Sequence, residues 1–203
     1  MSTHLSDDTR EILATMFGRL YEPEFATLDG IALSCRSADG FGYADGTTGL
    51  SLWMDDGISE LRAEPEDAAA HELHRALYAA MPNHQAVISG WSRHLRALLL
   101  EGLAPPPPTS MMRKRGIPDV GAHIVEPSAF DPAQLADTID EARVLAEQNA
   151  MRHLLIITSE GLVVVSGAPP FEAMAHWHNV EFAARVECMR LEEIAVNGSE
   201  AHR

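Results

Sequence analysis

Acid–base and metal chemistry both need imidazole, carboxylate and hydroxyl groups brought to one place, and this chain offers few candidates. His71-Glu72-Leu73-His74 resembles a zinc-protease helix only loosely. Its two imidazoles are three residues apart, whereas H-E-x-x-H puts them four apart on one helical face. As a metal motif it is weak, although His71 and His74 remain available for binding or proton transfer. Glu160 precedes Gly161 between two apolar runs. Burial in that turn would raise its carboxyl pKa for acid–base work, and exposure would leave it an ordinary turn residue. His176 and His178 are two apart on a helix and so point in different directions. Arg113-Lys114-Arg115 is a basic cluster that could bind an anion, pair with a neighbouring subunit or lie solvated in a loop. Cys35 and Cys188 fit no metal or redox spacing and read as reduced, buried thiols.

The elements that must position these groups alternate between helical and extended periodicity. Ser6-Asp7-Asp8 can cap a helix whose apolar face is Ile12, Leu13, Met16, Phe17 and Leu20, ended by Glu22-Pro23. A strand over 31–35 follows Gly30, and the Gly/Asp/Thr-rich stretch 39–49 reads as hairpin and loop. Leu50–Met54 can form another strand. Pro65 opens a helix with Leu73, Ala76, Leu77 and Ala80 on one stripe, and Pro82-Asn83 stops it. Ala86–Ile88 is a short buried strand running into Ser89-Gly90, and 91–100 is an amphipathic helix. Pro105–Pro108 is a stiff surface connector. Residues 122–125 are strand-like, and Phe130-Asp131-Pro132 starts a helix lined by Leu135, Ile139, Ala142 and Leu145. Leu154–Ile157 and Leu162–Val165 are adjacent central strands, and a long helix after Pro169-Pro170 runs to about residue 195, with a frayed tail from about 196. Strands interspersed with helices predict one α/β layered domain over 1–203.

Composition limits the partners. Lys+Arg 15 against Asp+Glu 30 gives a formal charge of -15, which argues against a nucleic-acid footprint. The N-terminus lacks the apolar core of a signal peptide, and no apolar run is long enough to cross a bilayer. Cytoplasmic is the expectation.

In this order, three segments resemble the class II aldolase/adducin family. HRALYAAMPNHQAVI (74–88) is similar to its helix-then-strand segment. FDPAQLADTIDEARVLAEQNAMRHLLIITSEGLVVVSG (130–167) is similar to its later helix-strand-turn-strand unit, and PPFEAMAHWHNVEFAARVECMRL (169–191) to its closing helix. The resemblance implies a three-layer α-β-α fold around a mixed, mostly antiparallel sheet. It also implies a homo-oligomer, tetramer or dimer, with sites near subunit interfaces.

Family enzymes hold a divalent metal, usually zinc, through an H-x-H pair and a third His, with a Glu as acid/base. Three neutral imidazoles around an open position let the ion polarise a carbonyl. Here the H-x-H positions match Ser89, Gly90 and Trp91, and the third His matches Glu160. The acid/base Glu falls at Ala70, with Glu72 nearby, and the phosphate-binding Ser residues fall in Ala68-Ala69-Ala70. The Gly-Asn phosphate loop retains Gly30 but has Ile31 in the Asn place, and the neighbour's Tyr falls near Ser110 or Met111. No metal or other cofactor is therefore expected.

What remains at the implied pocket is a catalytic set of Glu160, His74 and Ser89, with Trp91, Gly30 and His71 binding substrate. His74 and Glu160 would form a metal-free acid/base pair, or His74 packs against the sheet. Trp91 either fills the space left by the metal or stacks on a planar ligand. The sequence thus predicts a metal-independent lyase, decarboxylase, isomerase or cyclase acting on a small carbonyl or carboxylate compound. Two alternatives stand beside it: a non-catalytic, adducin-like binding or assembly protein, and a metal enzyme with ligands rebuilt from His71, His74, His94 and Glu160.

Overall fold

A computed structural model describes residues 7–20, 30–37, 40–45, 68–105, 110, 120–126, 130–131, 133–148, 151–167 and 169–200. In chain order its helices are α1 (Asp7–Leu20), α2 (Ala68–Ala80), α3 (Arg93–Leu100), α4 (Leu135–Gln148) and α5 (Pro170–Glu200). The strands are β1 (Ala32–Ser37), β2 (Gly40–Asp45), β3 (Ala86–Trp91), β4 (Ile124–Val125), β5 (His153–Thr158) and β6 (Leu162–Gly167). They form one six-stranded sheet in the order β2-β1-β3-β6-β5-β4. Every described pairing is antiparallel except β4 with β5.

Alternation along the strands separates two cores. Leu155, Ile157, Val163 and Val165 join Leu13, Phe17 and Trp177 on the face covered by α1, α3 and α5. Leu154, Ile156 and Val164 meet Leu73, Leu77 and Ile139 on the face covered by α2 and α4. This is the period of two expected of a sheet buried on both faces, and it gives the three-layer, mostly antiparallel architecture that the sequence implies.

Several boundaries differ from expectation. The helix expected after Asp131 begins at Leu135, because the Asp131 carbonyl first accepts the Gln134 and Leu135 amides in a turn. The strand expected over 122–125 is only Ile124–Val125, preceded by a 3-10 turn. Helix α5 runs to Glu200, past the fraying expected from about 196. The expectations at Leu50–Met54, 106–108, Met111 and 113–115 lie outside the described residues. Among the described residues no helix is long and apolar enough to cross a membrane. Both cysteines are free, Cys35 buried and Cys188 half-buried, and burial pushes the Cys35 thiol up to about 12.

Candidate active site

The α2 face of the sheet is where polar groups collect. Ser34 on β1 and Ser89 on β3 project to this face, in register with Val87, while Gly90 turns to the opposite core beneath Trp177. His74, one helical turn beyond Ala70, enters between them with no exposed surface. Its Nδ1 lies 2.8 Å from Ser34 Oγ and its Nε2 2.9 Å from Ser89 Oγ. Ser34 Oγ in turn lies 3.0 Å from the Tyr78 hydroxyl. Burial, helped by the neighbouring His71, lowers the His74 pKa to about 3, so the imidazole is neutral. Burial likewise raises the Tyr78 hydroxyl.

A neutral imidazole between two hydroxyls has two proton orders. In one, Ser34 donates to the Tyr78 hydroxyl, Nδ1–H to Ser34 and Ser89 to Nε2, so that Ser89 can only accept from a ligand. In the other, Ser34 donates to Nδ1 and Nε2–H to Ser89, which leaves the Ser89 proton for a ligand oxygen. Either way the Ser89 hydroxyl is held by His74, and Ser89 lines a cleft of about 770 Å³.

That cleft lies between α2, the start of α4 and the end of β3. Leu73, Ala76, Phe130, Leu135 and Leu162 give it apolar walls, with Gly30 and Trp91 at the sheet end. The indole of Trp91 has the Arg96 guanidinium 4.8 Å over its ring. Gly30 has φ 93, and a Cβ there would overlap the indole. Trp91 therefore forms a wall of the cleft. Glu72 and Arg75 sit at the mouth, paired to each other across one turn of α2.

The residues singled out from the sequence separate. Ser89, Trp91 and Gly30 line the cleft, and His74 backs it through Ser89. His71 instead packs its ring 5.2 Å from Phe41 and 5.2 Å from Tyr43, and is not among the lining residues. Glu160 is exposed and is also outside the lining. Of the two readings of Glu160, buried acid–base group or ordinary turn residue, the exposed turn residue is the one observed, for a local reason. Gly161, at φ 93, lies against the Arg96 backbone and closes a tight turn that carries the preceding side chain into solvent. The acid–base pairing of Glu160 with His74 is thereby corrected, since His74 takes hydroxyl partners on both nitrogens.

Glu72, noted from the sequence only as a neighbour of Ala70, and Arg75 are polar lining residues to which the sequence assigned no role. The signal was present: Glu72 is two residues beyond Ala70. A second polar group had no such signal. Glu181 on α5 is fully buried, accepting from the Ser92 hydroxyl and from the His94 backbone amide, and its Oε1 lies 2.5 Å from His94 Nδ1. Ser92 also caps α3 by accepting from the Leu95 amide at 3.2 Å. This network fixes the chain directly after β3 and so holds Trp91 and Ser89 in register.

Residues 50–188 match the family model for the Class II Aldolase and Adducin N-terminal domain. The chain belongs to this family. Among solved structures of the same fold is an L-fuculose 1-phosphate aldolase, 14% identical, with 94% of this chain and 90% of that one covered and a TM-score of 0.65. The L-fuculose-1-phosphate aldolase from Thermus thermophilus is 16% identical, covering 91% and 95%, with a TM-score of 0.62. An aldolase II superfamily protein from Pseudomonas syringae is 17% identical, covering 95% and 77%, with a TM-score of 0.61. No curated protein matches the sequence.

The family's divalent ion does not fit the donors this chain places at the matching positions. The Ser89 hydroxyl is committed to His74, the Trp91 indole has no lone pair to give, and Glu160 stands in solvent. Among the described residues no three His, Cys, Asp or Glu side chains are arranged to hold a metal.

Proposed function

We propose that the cleft carries out metal-independent proton transfer on a small carbonyl or carboxylate compound, as a lyase or isomerase. The observation carrying this reading is Ser89, which lines the cleft with its hydroxyl 2.9 Å from a buried, neutral imidazole. With Ser34 donating to Nδ1 and Nε2–H to Ser89, the Ser89 hydroxyl donates to the carbonyl oxygen and stabilises the enolate that develops there. Glu72 at the mouth takes the proton from the adjacent carbon. His74 is a positioning residue: burial and the neighbouring His71 lower its pKa to about 3, so the ring stays neutral and is a poor base. Glu160, the carboxylate the sequence favoured, gives way to Glu72 because Glu72 borders the cleft.

The test needs no knowledge of the natural substrate. A ketone bound in D2O should exchange its α-hydrogens for deuterium, read by proton NMR. Glu72→Gln should abolish the exchange, and Ser89→Ala should slow it by about 10²-fold. Exchange that persists unchanged in Glu72→Gln would sink the assignment.

A second reading is a non-catalytic binding protein. It is favoured by the Arg75 guanidinium, which already occupies the Glu72 carboxylate. An exposed pair of this kind is worth at most about 1 kcal/mol, so it opens readily for a ligand. Binding with no exchange in the wild type would decide for this second reading.

Assembly as a homo-oligomer is part of the proposal. It is supported by the exposed apolar residues Phe182, Val186 and Met189, which recur at helical spacing along α5.

A further inference from the structure

The cleft's walls say more about its ligand than its family does. Leu73, Ala76, Phe130, Leu135 and Leu162 offer hydrocarbon, and Trp91 offers the edge or face of an indole. Among the described residues, polar side chains on the lining amount to the Ser89 hydroxyl and the Glu72–Arg75 pair at the mouth. Arg75 is the one cationic side chain there among the described residues, and Glu72 already balances it.

A polyhydroxylated phosphate needs a partner for each hydroxyl and an uncompensated cation or a cradle of amides for its dianion. Each hydroxyl buried here without a partner would weaken binding by about tenfold. Hydrocarbon or aromatic surface against these walls has the opposite effect, since it leaves water and loses no hydrogen bond.

We infer that the cleft takes a predominantly apolar carbonyl compound, a flat or branched hydrocarbon body with one oxygen head placed at Ser89, and not a sugar phosphate. This inference rests on the cleft being the functional site but not on its being catalytic. The small side chain of Ala76 becomes a specificity determinant, because it leaves room for the body of the ligand.

The experiment titrates the full chain with benzylacetone and, separately, with dihydroxyacetone phosphate, following the Trp91 indole N–H and the Leu162 amide by NMR. Benzylacetone should shift both signals saturably, and dihydroxyacetone phosphate should shift neither at the same concentration. Ala76→Phe should weaken benzylacetone binding by about tenfold or more by filling the space. Its thermal unfolding shows whether the variant is folded, and Ala76→Val, a smaller intrusion, should give an intermediate loss.

Tighter binding of the phosphate compound at these signals overturns the inference. So does benzylacetone binding that neither Ala76 variant alters. Benzylacetone binding without α-deuterium exchange supports the ligand class while ending the proton-transfer reading. Exchange of dihydroxyacetone phosphate alone does the reverse.

Discussion

Acidifying the solution tests the burial of His74 directly. In the fold its pKa is about 3, against the ordinary 6.5 it regains on unfolding. Above pH 6.5 the imidazole is neutral in both states and contributes no pH dependence. Below that, the unfolded chain takes up a proton that the folded chain refuses. Stability therefore falls with pH across the window from about 6.5 to about 3 and levels off below it. Each unit is worth about 1.4 kcal/mol, so His74 alone costs the fold about 2 kcal/mol at pH 5.

Other groups titrate over the same range. His153 is lowered to about 4 by burial and by the neighbouring His176, with opposing help from Glu172. The useful quantity is thus a difference between proteins. Urea denaturation of the wild type and His74→Gln at pH 7 and pH 5 should show the variant less stable at pH 7, because two buried hydroxyls lose their partner. The variant should then lose about 2 kcal/mol less than the wild type on going to pH 5. A companion NMR titration should show the His74 ring still neutral in the folded state at pH 5. An identical pH dependence in the two proteins, or a folded-state midpoint near 6.5, would refute the buried relay.

Two further outcomes follow from the same geometry. Gly30→Ala should destabilise the fold by about 1–3 kcal/mol and move the Trp91 indole signal, since φ 93 and the indole both oppose a methyl group there. An unchanged urea midpoint and an unmoved signal would contradict that packing. Light scattering should give an oligomer for the wild type, with Phe182→Asp shifting it toward monomer. A monomeric wild type would remove the assembly proposal.

The layered sheet was legible because its signals are local. Leu154, Leu155, Ile156 and Ile157 form an uninterrupted apolar run that only a strand covered on both faces accommodates, and the structure divides them between the two cores. The place of Ser89 and Trp91 beside the cleft was legible too, since they stand at the end of a short apolar strand flanked by helices. The orientation of Glu160 was not legible, because it depends on Gly161 lying against Arg96, a contact between segments far apart in the chain. Nor was the pairing of Ser92 and His94 with Glu181, which are separated by more than 80 residues and carry no motif. The contact of His153 with His176, ring centroids 3.7 Å apart, is of the same kind. Side-chain partnerships across the sheet are set by tertiary packing, and periodicity records only which face a residue occupies.

In the proposed mechanism Ser89 and Glu72 act in place of a bound ion. Elemental analysis of the purified protein, paired with the α-deuterium exchange assay before and after exhaustive chelation, tests it most directly. Metal far below one ion per chain and an exchange rate that chelation leaves unchanged are expected. Stoichiometric zinc, with exchange lost on chelation and restored by adding the ion back, would contradict it.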